Sequence, residues 1–347
     1  MPASWWNKIY RNRDITVQPA SRLGSARCPI PLPNVQFPAP INPFALANER
    51  AYQCWREWKL SDYPARAEDL IVSIADPFRI SPVEKQALLR RCQKANAGIY
   101  RITAGNIADK ELVGSLGRQF GLVRLDRNLR ADEDSITSLK VVPETRGTYY
   151  IPYTNRPLNW HTDGYYNTLD EQVRGVVLHC VSDAAEGGEN VYFDHEMAYL
   201  LLRDENPDYL AALMRPDAMT IPANIEGGVE IRPAQSGPVF SVEPHTGSLH
   251  MRYTARTRSI AWKDDSKTRM AVGFLSELLA GESAFLFRHR LRPGEGIICN
   301  NILHKREAFA DDPESGRTRL LYRARFYDRI RGTELNTIWS GVQPCSG

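Results

Sequence analysis

The chain has 347 residues, 42% hydrophobic and 24% charged, a globular composition with room for one large domain or two small ones. Its 44 basic residues against 41 acidic ones leave a formal charge of +3, too even a balance to imply a nucleic-acid partner. No apolar run approaches the roughly 20 residues that span a bilayer, and the amino end lacks the apolar core of a secretory signal. The expectation is therefore a soluble, cytoplasmic protein without a membrane partner. The alternative is an organelle address, because Lys8, Arg11, Arg13, Arg22 and Arg27 face only Asp14 in the opening stretch.

Residues 1–65 read as an irregular arm, since prolines at 29, 31, 33, 38, 40 and 43 break helices and leave extended backbone. Trp5 and Trp6 could dock this arm on the body or on a second subunit. The main domain is expected over 66–330, with a tail over 331–347. Ser81-Pro82 predicts a helix start, running through Lys85 to Lys94. Ala97 to Ile102 reads as a strand, and Asp109 to Phe120 as a second helix closed by Gly121. Between Leu122 and Pro157 periodicity is lost, and the segment ends in Tyr149-Tyr150-Ile151-Pro152-Tyr153, the pattern of a lid-like insert.

Beyond it, Val173 to Val181 is an apolar run suited to a central strand, and Gly187-Gly188 turns into Asn190 to Phe193. Two short helices follow, His195 to Arg203 and Pro207 to Met214. Strands are then expected over Val229–Arg232, Val239–Glu243 and Leu249–Tyr253. Lys267 to Gly281 is the clearest helix, with Phe274, Leu275 and Leu278 on one face. Ala284–Leu291, Gly296–Cys299 and Thr318–Tyr327 complete the strands. Many strands with few helices predict a mainly β, α+β fold: an antiparallel sandwich or barrel with flanking helices and a site in its mouth. The six cysteines form no C-x-x-C pair, so reduced, mostly buried thiols are expected.

Trp160-His161-Thr162-Asp163-Gly164 carries the chemistry. A histidine and a carboxylate separated by one residue on an extended segment point to the same side, and a distant His304 would complete one face of an octahedron. Such a face leaves positions open for a chelating cosubstrate and dioxygen, which suits ferrous iron better than structural zinc. His-x-Asp alone recurs by chance, so the reading depends on the rest of the chain.

That rest includes Gly187-Gly188-Glu189-Asn190, then Leu291-Arg292-Pro293-Gly294-Glu295 leading to Asn300-Asn301-Ile302-Leu303-His304, and finally Arg319-Leu320-Leu321-Tyr322-Arg323. In this order the motifs resemble the TauD/TfdA-like family of Fe(II)- and 2-oxoglutarate-dependent oxygenases over roughly residues 95–328. The resemblance implies a double-stranded β-helix (a cupin-like jelly roll), with His161, Asp163 and His304 as iron ligands. It also implies O2 as oxidant, conversion of 2-oxoglutarate to succinate, and hydroxylation or desaturation of a small substrate. Halogenating relatives replace the carboxylate that Asp163 keeps. Arg319 would hold 2-oxoglutarate and Arg323 an acidic substrate group, or the reverse, because the loop Asp311–Arg317 is longer than in taurine dioxygenase. Asn190 stands where relatives carry threonine or serine, and its amide can donate the same bond to 2-oxoglutarate.

Tyr165 and Tyr166 are candidates for lining the substrate pocket, and a quaternary-ammonium substrate is one alternative they raise. Arg252, Arg256 and Arg258 form a basic patch that would attract an acidic one. His179 is expected in the core, and His250 and His289 toward the interior. Competing readings are a catalytically silent metal- or acid-binding jelly roll and a zinc hydrolase at the same triad. A homodimer or homotetramer, as in family members, is a further expectation.

Overall fold

The computed structural model describes residues 42–126, 134–142, 151–256 and 260–339. Trp5, Trp6, Tyr149, Tyr150 and Arg258 lie outside them. The irregular arm needs correction. The chain groups with the body from Asn42 onward, and Glu49–Leu60 is a helix, α1. Its buried face is Tyr52, Trp55 and Lys59, an amphipathic spacing that the neighbouring prolines and a lysine in the apolar stripe conceal in the sequence. Phe44 packs edge-on against Trp55 and Tyr199, with centroids 5.0 and 5.2 Å away.

Ten strands build the frame: Ile71–Ile74 (β1), Ala97–Ile102 (β2), Thr137–Leu139 (β3), Leu158–His161 (β4), Gly175–Ser182 (β5), Asn190–Phe193 (β6), Leu286–His289 (β7), Glu295–Cys299 (β8), Leu303–Arg306 (β9) and Leu320–Phe326 (β10). Six form one sheet in the order β1-β2-β8-β5-β10-β3, and four form another in the order β7-β6-β9-β4. Only β1 and β2 run parallel, joined by the crossover helix Pro82–Ala95 (α2); the other pairs in these sheets are antiparallel. α2 starts as its sequence demands: Ser81 accepts from the Glu84 amide, Glu84 returns the bond, and Pro82 occupies the first turn. It ends with Asn96 in the left-handed region. Part of the expected insert is therefore strand, since β3 pairs with β10 at the sheet edge.

The two faces of the larger sheet carry different chemistry. Tyr100, Val177, Ile298, Ala324 and Phe326 pack under α2 and the helix Glu111–Gln119 (α3), against Leu88, Cys92, Leu116 and Phe120. By the period of two, Arg323 and Arg325 on β10, with Arg319 just ahead of it, point to the opposite face, where Arg323 meets Asp163 beyond the end of β4. The site thus lies where the smaller sheet faces the larger one.

Helices His195–Glu205 (α4), Pro207–Leu213 (α5) and Ser266–Ala280 (α6) come within two residues of their expected ends. α1 is tied to α4 by a buried ionic cluster: Lys59 Nζ lies 2.7 Å from Asp194 and 2.6 Å from Glu196. Burial alone would push the Lys59 ammonium down, but the two carboxylates outweigh it and hold it above its ordinary value. Asp194 also caps α4 by accepting from the Glu196 amide. Cys92, Cys180 and Cys299 are buried free thiols, as expected, whereas Cys54 is disulfide-bonded. Among the described residues, no helix is long and apolar enough to cross a membrane.

Candidate metal centre and cosubstrate pocket

β4 and β9 are antiparallel neighbours with His161 and His304 as direct cross-strand partners, their rings 4.2 Å apart. Asp163 lies two residues past His161, so one ligand atom from each of the three comes within 4.8 Å of the others. The Nδ1 of His161 lies 2.8 Å from the Asn159 carbonyl, and that of His304 lies 3.0 Å from the Ile302 carbonyl. A carbonyl only accepts, so both Nδ1 atoms carry the proton and both Nε2 lone pairs remain for a metal. Burial, then the facing His304, pushes His161 down to about 3, which keeps it neutral and able to ligate.

Asp163 is positioned from two directions. Its Oδ1 accepts from Arg323 Nη1 at 3.0 Å and has Arg325 Nη1 at 3.7 Å. Burial alone would raise this carboxyl, but the two guanidiniums outweigh it and hold it below the ordinary carboxylate range. Its Oδ2 is buried and has no hydrogen-bond partner. An orphaned carboxylate oxygen between two proton-free imidazole nitrogens is the donor set of a divalent cation, so the residues fit iron. The backbone of Asp163 is clamped by Asn301, whose Oδ1 accepts from the Asp163 amide at 2.8 Å and whose Nδ2 donates to the Asp163 and Val173 carbonyls. Asn301 itself holds a positive φ of 51°.

A second polar pocket adjoins β6 and β10. Asn190, Gly188, Cys180, Leu321 and Arg319 line it. Gly187 is required at its rim, because a Cβ there would lie 2.3 Å from the Ala308 carbonyl oxygen. Arg319 is 6% exposed, its guanidinium sits 5.0 Å from the Phe309 ring, and only its backbone amide is hydrogen-bonded, to Asp311. No carboxylate among the described residues pairs with this guanidinium. Burial therefore pushes it below its ordinary value. A buried guanidinium without an ion pair beside an amide side chain has the donors that a ligand carboxylate could use.

Comparison with known proteins decides the family. The model of the taurine catabolism dioxygenase TauD, TfdA family matches residues 63–325. The chain belongs to that family. It is an Fe(II)/2-oxoglutarate-dependent oxygenase. It is 30% identical over 224 residues to a uridine-5′-phosphate dioxygenase from Amycolatopsis, covering 58% of this chain and 78% of that one. A uridine-5′-phosphate dioxygenase from Streptomyces is 27% identical, covering 56% and 71%. Among solved structures, a putative alpha-ketoglutarate-dependent taurine dioxygenase from Burkholderia xenovorans superposes with a TM-score of 0.52 at 17% identity, over 76% of this chain and 88% of that one.

Within this oxygenase the remaining candidates separate. Tyr165 stands edge-on to His161 at 6.5 Å, and Tyr166 stands 5.2 Å from Tyr165. Guanidiniums crowd both rings: Arg256 lies 5.8 Å from Tyr165, and Arg232 and Arg325 each lie 5.8 Å from Tyr166. Like charge around the rings disfavours a quaternary-ammonium cage. Arg252 is not part of a surface patch. It is 2% exposed and donates to the carbonyls of Tyr165, Met219 and Gln235, a structural tie that its neighbours in sequence do not betray. His179 is a core residue, stacked on Tyr100 and bonded to the Ile107 carbonyl. His289 pairs with Glu295 at 2.9 Å rather than facing a ligand, and His250 lines a separate cavity with Arg174 and Arg329. Sequence reasoning gave no role to Asn301 or Arg232. The only signal for the first was an asparagine three residues before the distant histidine, and nothing marked the second.

Proposed function

We propose that this oxygenase is a double-stranded β-helix enzyme that converts 2-oxoglutarate to succinate and hydroxylates a small anionic substrate. The observation that carries the reading is the orphaned Oδ2 of Asp163 between two histidines, next to a pocket holding the unpaired Arg319. Two mainly antiparallel sheets with the site residues between them support the β-helix assignment.

His161, Asp163 and His304 would hold the iron, which when bound supplies the oxidation that couples decarboxylation of 2-oxoglutarate by O2 to insertion of oxygen into a C–H bond. Arg319 would grip the far carboxylate of 2-oxoglutarate, with the Asn190 amide donating beside it. Arg323, assigned from the sequence to a substrate acid or to 2-oxoglutarate, is engaged by Asp163 and would orient the ligating carboxylate. Tyr165 and Tyr166 would line the substrate side, excluding water from the reacting C–H bond. The two relatives named for uridine-5′-phosphate make a nucleoside monophosphate the first compound to test.

Succinate release by anaerobically iron-loaded protein, given 2-oxoglutarate, O2 and a panel of small phosphates, carboxylates and sulfonates, tests the proposal. Substrate-stimulated succinate in the wild type, abolished by both Asp163→Ala and His304→Ala with the fold checked by thermal melting, supports it. Failure of 2-oxoglutarate to bind or turn over in the wild type refutes it and returns the silent-scaffold reading.

A further inference from the structure

Resting on that oxygenase reading, we infer that the substrate's anionic group is a phosphomonoester and that Arg232 and Arg256, not Arg323, hold it over the Tyr165–Tyr166 pair.

The arginines around the site differ in what already satisfies them. Arg323 is committed to Asp163, and Arg325 to Asp126, Tyr166 and Asp163. Arg252 is 2% exposed and is held in the interior by bonds to three carbonyls. Two remain. Arg232 donates to the carbonyls of Pro222 and Pro233 at 2.8 and 2.9 Å, neutral acceptors that fix its position without cancelling its charge. Arg256 is exposed and lies against the Tyr165 ring. Neither has a carboxylate partner among the described residues. Arg256 lies 5.8 Å from the Tyr165 ring and Arg232 5.8 Å from the Tyr166 ring, and the two rings are 5.2 Å apart, so both charges bear on one tyrosine pair. Tyr165 in turn stands 6.5 Å from the His161 ring, which places this positive basin within one small molecule's length of the metal ligands.

The number of free guanidiniums selects the chemistry. A carboxylate brings one charge and two oxygens and satisfies one guanidinium. A phosphomonoester brings close to two charges and three acceptor oxygens, enough for two. Arg232 is tethered at the end of the hairpin Asn224–Glu226/Val229–Arg232 and is held by carbonyls before any ligand arrives, so little ordering is lost on binding.

The test is equilibrium binding of uridine-5′-phosphate, uridine and inorganic phosphate to the full chain by calorimetry. Wild type, Arg232→Gln, Arg256→Gln and Arg323→Gln are compared, with 2-oxoglutarate titrated separately into each. Uridine-5′-phosphate should bind tighter than uridine, more weakly as salt rises, and in competition with inorganic phosphate. Arg232→Gln and Arg256→Gln should each weaken it about 10- to 100-fold while leaving 2-oxoglutarate affinity and melting temperature unchanged. Equal binding of the phosphate and the nucleoside, or variants within twofold of wild type, overturns the inference. So does loss confined to Arg323→Gln, and so does a wild type that binds neither phosphate probe. Because 2-oxoglutarate is measured on its own, a failed anion site leaves the oxygenase reading standing, and loss of 2-oxoglutarate binding in the wild type fails that reading instead.

Discussion

Replacing Arg319 by methionine should cost 2-oxoglutarate binding while leaving the fold as stable as before, or more so. Arg319 is 6% exposed, its guanidinium has no carboxylate ion pair among the described residues, and it lies near the Phe309 ring that Arg306 also approaches, at 4.9 Å. Arg306 is itself buried and pushed down to about 9, first by burial and then by Arg319. Two like charges are thus held in one dry region, and an uncompensated buried ion costs on the order of several kcal/mol. Methionine removes that cost and fills much of the same volume. In the liganded state, by contrast, the variant forfeits two charge-assisted hydrogen bonds at about 1.5–3 kcal/mol each, together about 3–6 kcal/mol. That is roughly a 10²- to 10⁴-fold rise in Kd. Anaerobic calorimetry of 2-oxoglutarate into Mn(II)-loaded protein measures the first quantity, and urea denaturation the second. A Kd within threefold of wild type, or a loss of stability above about 2 kcal/mol of the kind seen when a needed partner is deleted, would refute the reasoning.

Two further substitutions probe the frame. Asn301→Gly tolerates the positive φ of 51° but deletes the hydrogen bonds that clamp Asp163, so metal affinity, read by Mn(II) titration, should fall about 10- to 100-fold; unchanged affinity would show that Asp163 needs no clamp. Lys59→Met strands Asp194 and Glu196 in the interior and should cost about 3–5 kcal/mol in urea denaturation, with a loss below about 1 kcal/mol counting against it. The cluster also sets a pH window. Lys59 is held above its ordinary 10.5, so its contribution is full below that pH and disappears as pH rises through the raised value. Asp194 is held below its ordinary 3.8, so its share is present above pH 3.8 and disappears as pH falls further. The alkaline loss should be absent from Lys59→Met.

The elements legible in the sequence are those whose signal is local. α2 announces itself by Ser81, Pro82 and Glu84, and β5 by an apolar run, because caps and burial act within a few residues. The triad was legible for a related reason: period two places His161 and Asp163 together, and only His304 required a long-range step. α1 was missed because a buried lysine sits in its apolar face, and that lysine is explained only by Asp194 and Glu196, more than a hundred residues away. β3, three residues of strand at a sheet edge, carries no period long enough to detect. The roles of the arginines were illegible for the same reason as α1. Alternation correctly put Arg319, Arg323 and Arg325 on one face, but which of them is neutralised depends on carboxylates that arrive from other strands.

That distinction gives the site its direction. Six arginines surround the metal ligands, the cosubstrate pocket and the tyrosines, and identical side chains acquire different tasks from their partners alone. Arg325, flanked by Tyr166, Asp163 and Asp126, is raised by Tyr166 first and then by the two carboxylates despite its burial, and serves the frame. Arg252, 2% exposed and tied to three carbonyls, is pushed down by burial to about 10 and serves as an interior tie. Arg323 orients Asp163. Arg319, Arg232 and Arg256 have no carboxylate ion pair among the described residues, the first in the pocket beside Asn190 and the other two beside Tyr166 and Tyr165. An enzyme that must take up an anionic cosubstrate and an anionic substrate needs two such sites, and it needs them apart, since a shared one would let either acid block the other. The segment leading into β10 supplies Arg319, and the hairpin ending at Arg232 supplies the second beside Tyr166. On the proposed reading the two acids would occupy separate sites, and saturating 2-oxoglutarate should not inhibit binding of a phosphate-bearing substrate.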